Sequence, residues 1–163
     1  MSKVWNVLFL CTGNSARSVL SEGILNHLGK GRFKAYSAGS KPSGKVRPEA
    51  LAQLASAGIA TEGFRSKSWD EFAGPDVPQM DFVFTVCDNA AHEVCPVWPG
   101  HPATAHWGVE DPAAVEGTPE EIARAFEQAF VILERRIRLL LALPVAELER
   151  MELEQKLCEI GKA

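Results

Sequence analysis

Four cysteines in 163 residues, at positions 11, 87, 95 and 158, are too few and too scattered for the disulfide framework of a small secreted protein. In a reducing compartment they are better explained as catalytic, metal-binding or simply buried. No apolar run approaches the roughly 20 residues that a membrane-spanning helix needs. The N-terminus, Met1 to Asn6, carries one lysine and an apolar stretch too short for a signal peptide. Positive charge is not in excess either. The formal net charge is −4 and no basic helix or stripe stands out, which argues against a nucleic-acid footprint. Internal repeats and low-complexity tracts are also missing. These absences lead to the expectation of a cytoplasmic protein with no membrane or nucleic-acid partner. What remains is ordinary: 46% apolar and 23% charged residues, in a length suited to one domain with a proper core. Residues 1–163 are expected to form that domain, with a helical extension at about 145–160.

The chain is organised around residues 7–18, Val-Leu-Phe-Leu-Cys-Thr-Gly-Asn-Ser-Ala-Arg-Ser. A short apolar run ends at Cys11, small or polar residues follow from Thr12 to Ala16, and Arg17 and Ser18 open a helical pattern. This reads as strand, tight loop and helix start. Successive backbone N–H groups of such a loop can converge on one point, and the helix N-terminus adds positive potential there. Thr12, Gly13, Asn14, Ser15, Ala16, Arg17 and Ser18 are thus candidate ligands for a tetrahedral oxyanion, with the Arg17 guanidinium clamping two oxygens. The same field lowers the pKa of Cys11 and makes it a candidate thiolate nucleophile.

The rest of the chain reads as alternating strands and helices. Strands are expected at Trp5–Leu10, Gly31–Ala38, Asp81–Val86 and Ala103–Trp107. Helices are expected at Ser18–Leu28, stopped by Gly29, and at Glu49–Ala57, stopped by Gly58. A short helix fits Ser68–Phe72, and Cys87–Cys95 suits one or two helical turns. Thr118-Pro119-Glu120-Glu121 has the form of a capping box with proline at the first helical position. Ile122, Phe126, Phe130, Leu133, Ile137 and Leu141 then form an apolar stripe facing a sheet, and Pro144 ends it. A last amphipathic helix is expected over Ala146–Ile160, with Leu148, Met151, Leu153, Leu157 and Ile160 packing and Cys158 incidental. The order β-α-β-α-β-β-α predicts an α/β fold with a parallel sheet and right-handed crossovers. Its active site belongs at the carboxyl ends of the strands, where Cys11 and Cys87 both fall.

Further groups have possible chemistry. Asp111, before Pro112 in a glycine-flanked loop after the last strand, could protonate a leaving oxygen above the anion site, although Asp-Pro is also a common turn initiator. The loop 41–48 carries Lys41, Lys45 and Arg47, which either steer an anion toward Cys11 or form an ordinary solvated loop. Cys87 and Cys95 could be a resolving redox pair. Eight residues of regular helix span roughly 12 Å, whereas disulfide Cα atoms must come within about 7 Å, so the segment would have to loop or unwind. Zinc competes, because Cys87, His92, Cys95, His101 and His106 cluster in sequence, but their spacings do not match Cys-x2–4-Cys knuckles. Plain buried cysteines are the third reading.

Taken together, Cys-Thr-Gly-Asn-Ser-Ala-Arg-Ser at 11–18, Ser-Ala-Gly at 37–39, Thr-Val-Cys-Asp at 85–88 and His-Trp-Gly-Val-Glu-Asp-Pro-Ala at 106–113 resemble the arsenate reductases of the low-molecular-weight protein tyrosine phosphatase superfamily, thioredoxin-coupled type. The resemblance implies a three-layer sandwich with a four-stranded parallel sheet flanked by helices. It implies arsenate bound by Thr12–Arg17, with phosphate or sulfate as analogues, and the Ser18 hydroxyl holding Cys11 as a thiolate. Cys11 would attack arsenic while Asp111 protonates the departing oxygen. Cys87 would then attack Cys11, and Cys95 would attack Cys87, leaving a Cys87–Cys95 disulfide for an external reductant. Thioredoxin is the implied partner, with glutaredoxin and glutathione as the alternative, and no cofactor is bound. Some members hold a potassium ion near the equivalents of Asn14 and Ser37. Here Ser68 stands where an aspartate is expected, so no metal is expected.

The nearest rival is a low-molecular-weight protein tyrosine phosphatase, which would share Cys11, Arg17 and Asp111. That activity calls for aromatic residues after the Asp-Pro to grip a phenyl ring, and this chain has Ala113 and Ala114. It also has no need of Cys87 and Cys95.

Overall fold

The computed structural model describes residues 4–72, 77–86, 102–148 and 150–162. Strand β1 spans Trp5–Cys11, helix α1 Arg17–Leu28, β2 Phe33–Gly39 and α2 Pro48–Ser56. A 3-10 turn covers Trp69–Phe72, followed by β3 at Phe82–Thr85 and β4 at Ala103–His106. A second 3-10 turn at Pro112–Ala114 precedes the long α3, Pro119–Ala142, and α4 spans Arg150–Ile160. The four strands are parallel in the order β2-β1-β3-β4. The expected α/β architecture with a four-stranded parallel sheet is therefore present. The chain leaves β1 toward β2 and then crosses back to β3 on the other side, so the connections diverge at the carboxyl end of β1, the position where open parallel sheets bind ligands. Cys11 lies there.

Alternation along the strands explains the layering. Val7, Phe9, Cys11, Phe82 and Phe84 are buried with α1, α2, α3 and α4 in the larger core. Leu8, Leu10, Ala38 and Val83 point the other way, onto Trp69, Phe72 and Met80. A strand buried on both faces must be apolar at every position, which is why Val7–Leu10 reads as an unbroken apolar run. Trp107, fully buried, stacks on Phe84 with ring centroids 4.0 Å apart, and its indole N–H donates to Leu157 O at 2.9 Å. That bond ties α4 to the end of β4.

Several local expectations shift. The last helix begins at Arg150 rather than Ala146, because Val145–Glu147 form a turn after Pro144. In α3 the buried face takes Leu140 and Ala129, while Ile122 and Leu141 are only half-buried. A 24-residue helix drifts from an i, i+4 template because its turn is 3.6 residues. The Thr118 hydroxyl accepts from Glu121 N at 3.2 Å as a cap should, but the Glu121 carboxylate bonds to that hydroxyl, not to the Thr118 amide. The left-handed glycine after α1 is Gly31 (φ 88°), not Gly29 (φ −99°). The expected turns at 87–95 lie outside the described residues. No helix among the described residues is long and apolar enough to cross a membrane.

Candidate active site

Cys11 closes β1, in register with Gly39 of β2, and the residue is 4% exposed. The loop that follows is shaped from outside. Thr12 O accepts from Lys41 N at 3.0 Å, and Gly13 O accepts from Ser43 N and from the Ser66 hydroxyl, each at 3.0 Å. Ser15 O accepts from Arg47 N at 2.8 Å. In a trans peptide the carbonyl and the next N–H point in opposite directions. Tying these three carbonyls outward therefore turns the N–H groups of Gly13, Asn14 and Ala16 to the inner side. Helix α1 then starts at Arg17 with no side-chain cap and no acid in its first turn. Its first N–H groups and its dipole add to the same concavity. That arrangement is suited to an oxyanion.

Asn14 holds the bend. It is fully buried and is the only non-glycine residue with left-handed backbone among the described residues, φ 46°. Asparagine tolerates this conformation better than most residues. Its Oδ1 accepts from Lys67 N at 2.9 Å and its Nδ2 donates to the Ser18 hydroxyl at 2.8 Å. Ser18, also fully buried, thus uses an oxygen lone pair on Asn14 and keeps its proton to donate.

Arg17 and Asp111 come together across the sheet edge. Arg17 Nη1 donates to Val109 O at 2.8 Å, Nη2 lies 3.6 Å from Asp111 Oδ2, and the buried Nε has no hydrogen-bond partner. Asp111 Oδ1 caps the 3-10 turn by accepting from Ala113 N at 2.9 Å. One carboxylate oxygen is thus fixed, and the other faces the guanidinium. Cys87 and Cys95, and with them His92 and His101, lie outside the described residues.

Beneath the loop is a half-buried ionic group. The Ser37 hydroxyl donates to Glu22 Oε1 at 2.5 Å, and Lys67 Nζ lies 4.0 Å from the same oxygen. Burial raises the Glu22 pKa above its ordinary value, against the opposing pull of the Ser37 hydrogen bond and of Lys67. Burial likewise lowers that of Lys67, with Glu22 opposing. Asn14 and Ser37, near which the resemblance implies a potassium ion in some members, are here engaged with Ser18, Lys67 and Glu22. The positive charge at that carboxylate comes from the chain's own lysine, so these residues do not fit a resident cation.

The loop 41–48 is largely exposed. Its Lys41, Ser43 and Arg47 amides touch the anion loop, and the Arg47 side chain is paired with Glu49 at 3.3 Å. Gly39 has a steric role: a Cβ there would lie 2.3 Å from Thr12 O and 2.7 Å from Cys11 O. Arg136 of α3 was not singled out in the sequence. It is 7% exposed and donates through Nη1 to Trp107 O at 2.9 Å and Gly108 O at 3.0 Å.

Residues 6–155 match the model of the low molecular weight phosphotyrosine protein phosphatase family. The chain belongs to this family. An arsenate reductase of Bacillus licheniformis is 38% identical over 134 residues, 81% of this chain and 91% of that protein. Among solved structures, the thioredoxin-dependent arsenate reductase of Corynebacterium glutamicum superposes with a TM-score of 0.57 at 26% identity, covering 85% of this chain and 64% of that one. A low molecular weight protein tyrosine phosphatase from T. tengcongensis gives a TM-score of 0.67 at 26% identity, covering 84% and 97%. The family therefore joins reductases and phosphatases on one fold, and both the expected fold and the expected kinship with arsenate reductases are met.

Proposed function

We propose that this family member is an enzyme that reduces arsenate to arsenite, with Cys11 as nucleophile. The observation that supports the anion site is the outward tethering of the Thr12, Gly13 and Ser15 carbonyls, which turns the Gly13, Asn14 and Ala16 N–H groups to the inner side of the loop. Arsenate is held by the N–H groups of residues 12–18 and by the guanidinium of Arg17. The Cys11 thiolate, stabilised by the Ser18 hydroxyl, attacks arsenic, and Asp111 donates a proton so that one oxygen leaves as water. The Cys87 thiolate then attacks Cys11 sulfur. The S–As electron pair passes to arsenic, which leaves as arsenite, and a Cys11–Cys87 disulfide forms. Cys95 attacks Cys87, releasing the Cys11 thiolate and leaving a Cys87–Cys95 disulfide. An external dithiol protein of the thioredoxin type takes up that disulfide and returns two thiols; glutaredoxin with glutathione is the alternative donor. The thioredoxin dependence of the C. glutamicum structure supports the first.

The phosphatase reading shares Cys11, Arg17 and Asp111 but is less well supported. Ala113 and Ala114, in the 3-10 turn after Asp111, offer no aromatic surface to grip a phenyl ring. The deciding measurement is thiol titration before and after arsenate. Wild type should lose two thiols per arsenate reduced, Cys11→Ser none, and Cys95→Ser should make one turnover and stall as the Cys11–Cys87 disulfide. Unchanged thiol content in wild type would refute reduction, and repeated turnover by Cys95→Ser with thioredoxin would refute the relay.

A further inference from the structure

We propose that Arg136 is a positioning residue for the acid: from α3 it fixes the main chain that carries Asp111. The inference rests on the reading of Asp111 as proton donor and extends it to a residue that touches no substrate. Arg136 sits on the core face of α3 between Leu133, Ile137 and Leu140, each fully buried. A leucine would continue that face without the desolvation cost of a guanidinium. What the guanidinium does there is specific. It donates to Trp107 O and Gly108 O, and Arg17 donates to the next carbonyl, Val109 O.

The amide side of the same segment is held too. Trp107 N donates to Thr85 O at 2.7 Å and Val109 N to Val86 O at 3.1 Å. Every carbonyl from 107 to 109 therefore ends on an arginine, while the alternate amides continue the sheet. Two residues later comes Asp111. Arg136 thus governs the first part of a short, doubly tethered lead into the acid, and Arg17 governs the last. Without Arg136 two carbonyls lose a charged donor, and the lead is held on one side only until Val109.

The test is a double-mutant cycle read as the rate of arsenate-dependent thiol loss, with protection of Cys11 from iodoacetamide by inorganic phosphate as the check on the anion loop. Arg136→Met should slow thiol loss about 10- to 100-fold, the cost of misplacing a catalytic group by about 1 Å. Phosphate protection should stay within about threefold of wild type, because the carbonyl tethers of the anion loop come from 41–47 and Ser66. Arg136→Lys, which keeps a charged donor, should recover most of the rate. Most diagnostic, Asp111→Asn combined with Arg136→Met should be no slower than Asp111→Asn alone, since a displaced acid and an absent one lose the same step. Multiplying effects would overturn the proposal and leave Arg136 as a core residue. An Asp111→Asn variant as fast as wild type would instead overturn the reading of Asp111 itself. If Arg136→Met loses phosphate protection outright, the cycle is read with Arg136→Gln, which keeps a neutral donor in place of the charged one, and multiplying effects there overturn the proposal equally.

Discussion

Replacing Gly39 by alanine adds one methyl group at the tightest approach to the anion loop. The new Cβ would lie 2.3 Å from Thr12 O, 2.7 Å from Cys11 O and 3.0 Å from Asn14 N. All three are main-chain atoms, so no side chain can rotate away. Gly39 itself cannot retreat easily: its N–H donates to Lys67 O at 2.9 Å, it bridges to Ser68, and it pairs in register with Cys11. Restoring ordinary contact requires the Thr12–Gly13 peptide to move by about 1 Å. Overpacking of this kind costs about 1–3 kcal/mol, or about 2–12 °C in melting temperature for a chain of this size. The larger effect is on chemistry, because the displaced peptide carries the Gly13 N–H. A 1 Å error there costs about 100-fold in rate. The assay pairs thermal unfolding with the rate of arsenate-dependent thiol loss and with phosphate protection of Cys11. Gly13→Ala is the stability control, since its Cβ would meet only Ser15 Oγ at 3.5 Å. It should melt within about 2 °C of wild type. Gly39→Ala with a wild-type melting temperature and a rate within threefold would refute the steric account of the Ser-Ala-Gly segment.

Asn14→Ala should lose about 2–5 kcal/mol in urea unfolding, from an unsatisfied Lys67 amide, the bond to Ser18 and an alanine in left-handed backbone; Asn14→Gly should recover about 1 kcal/mol of it. The pH dependence of Glu22 has a definite sign. Its folded pKa is raised above 4.5, so its contribution to stability is full below about pH 4.5 and is lost as pH rises through the folded value. The unfolding free energy of Glu22→Gln minus that of wild type should accordingly increase across that window and then flatten; a decrease would mean that Ser37 and Lys67 outweigh burial. Trp107→Phe removes the bond to Leu157 O and should cost about 1–3 kcal/mol, with faster amide exchange concentrated in α4.

Much of this was legible because it is local. An apolar run buried on both faces announces β1 and β3, and the junction of strand, glycine-containing loop and helix puts Cys11 and Arg17 at one edge. Thr118-Pro119 marks the start of α3 to the residue. The tethering of the anion loop was not legible, because it runs through main-chain amides, which every residue but proline possesses. Lys41, Lys45 and Arg47 drew attention by charge, yet Lys41 and Arg47 contact the loop through their backbone N–H, and so does the neutral Ser43. Gly39 was visible only as part of a family motif; the reason for it is a distance. Arg136 is the opposite case, a charged residue whose role depends on carbonyls some thirty positions away that no periodicity describes.

The tethering also limits what the loop can choose. On the proposed reading its inner surface presents N–H groups, a helix dipole and a guanidinium, groups that recognise a tetrahedral oxyanion by charge and shape. Phosphate and arsenate share both. Discrimination between hydrolysis and reduction must therefore come after the first covalent step, from what attacks next. Water attacking the central atom releases an oxyanion with its oxidation state unchanged. A thiolate attacking Cys11 sulfur sends two electrons to that atom, a step open to arsenic(V), which accepts them, and not to phosphorus(V) under the same conditions. On the proposed mechanism the loop and its tethers set affinity and the first rate, and the second thiol sets the reaction. A Cys87→Ser variant separates the two: it should still bind phosphate and protect Cys11, and it should form the Cys11–arsenic adduct without releasing arsenite. Arsenite release by that variant, with no added thiol, would place the reducing electrons somewhere other than Cys87.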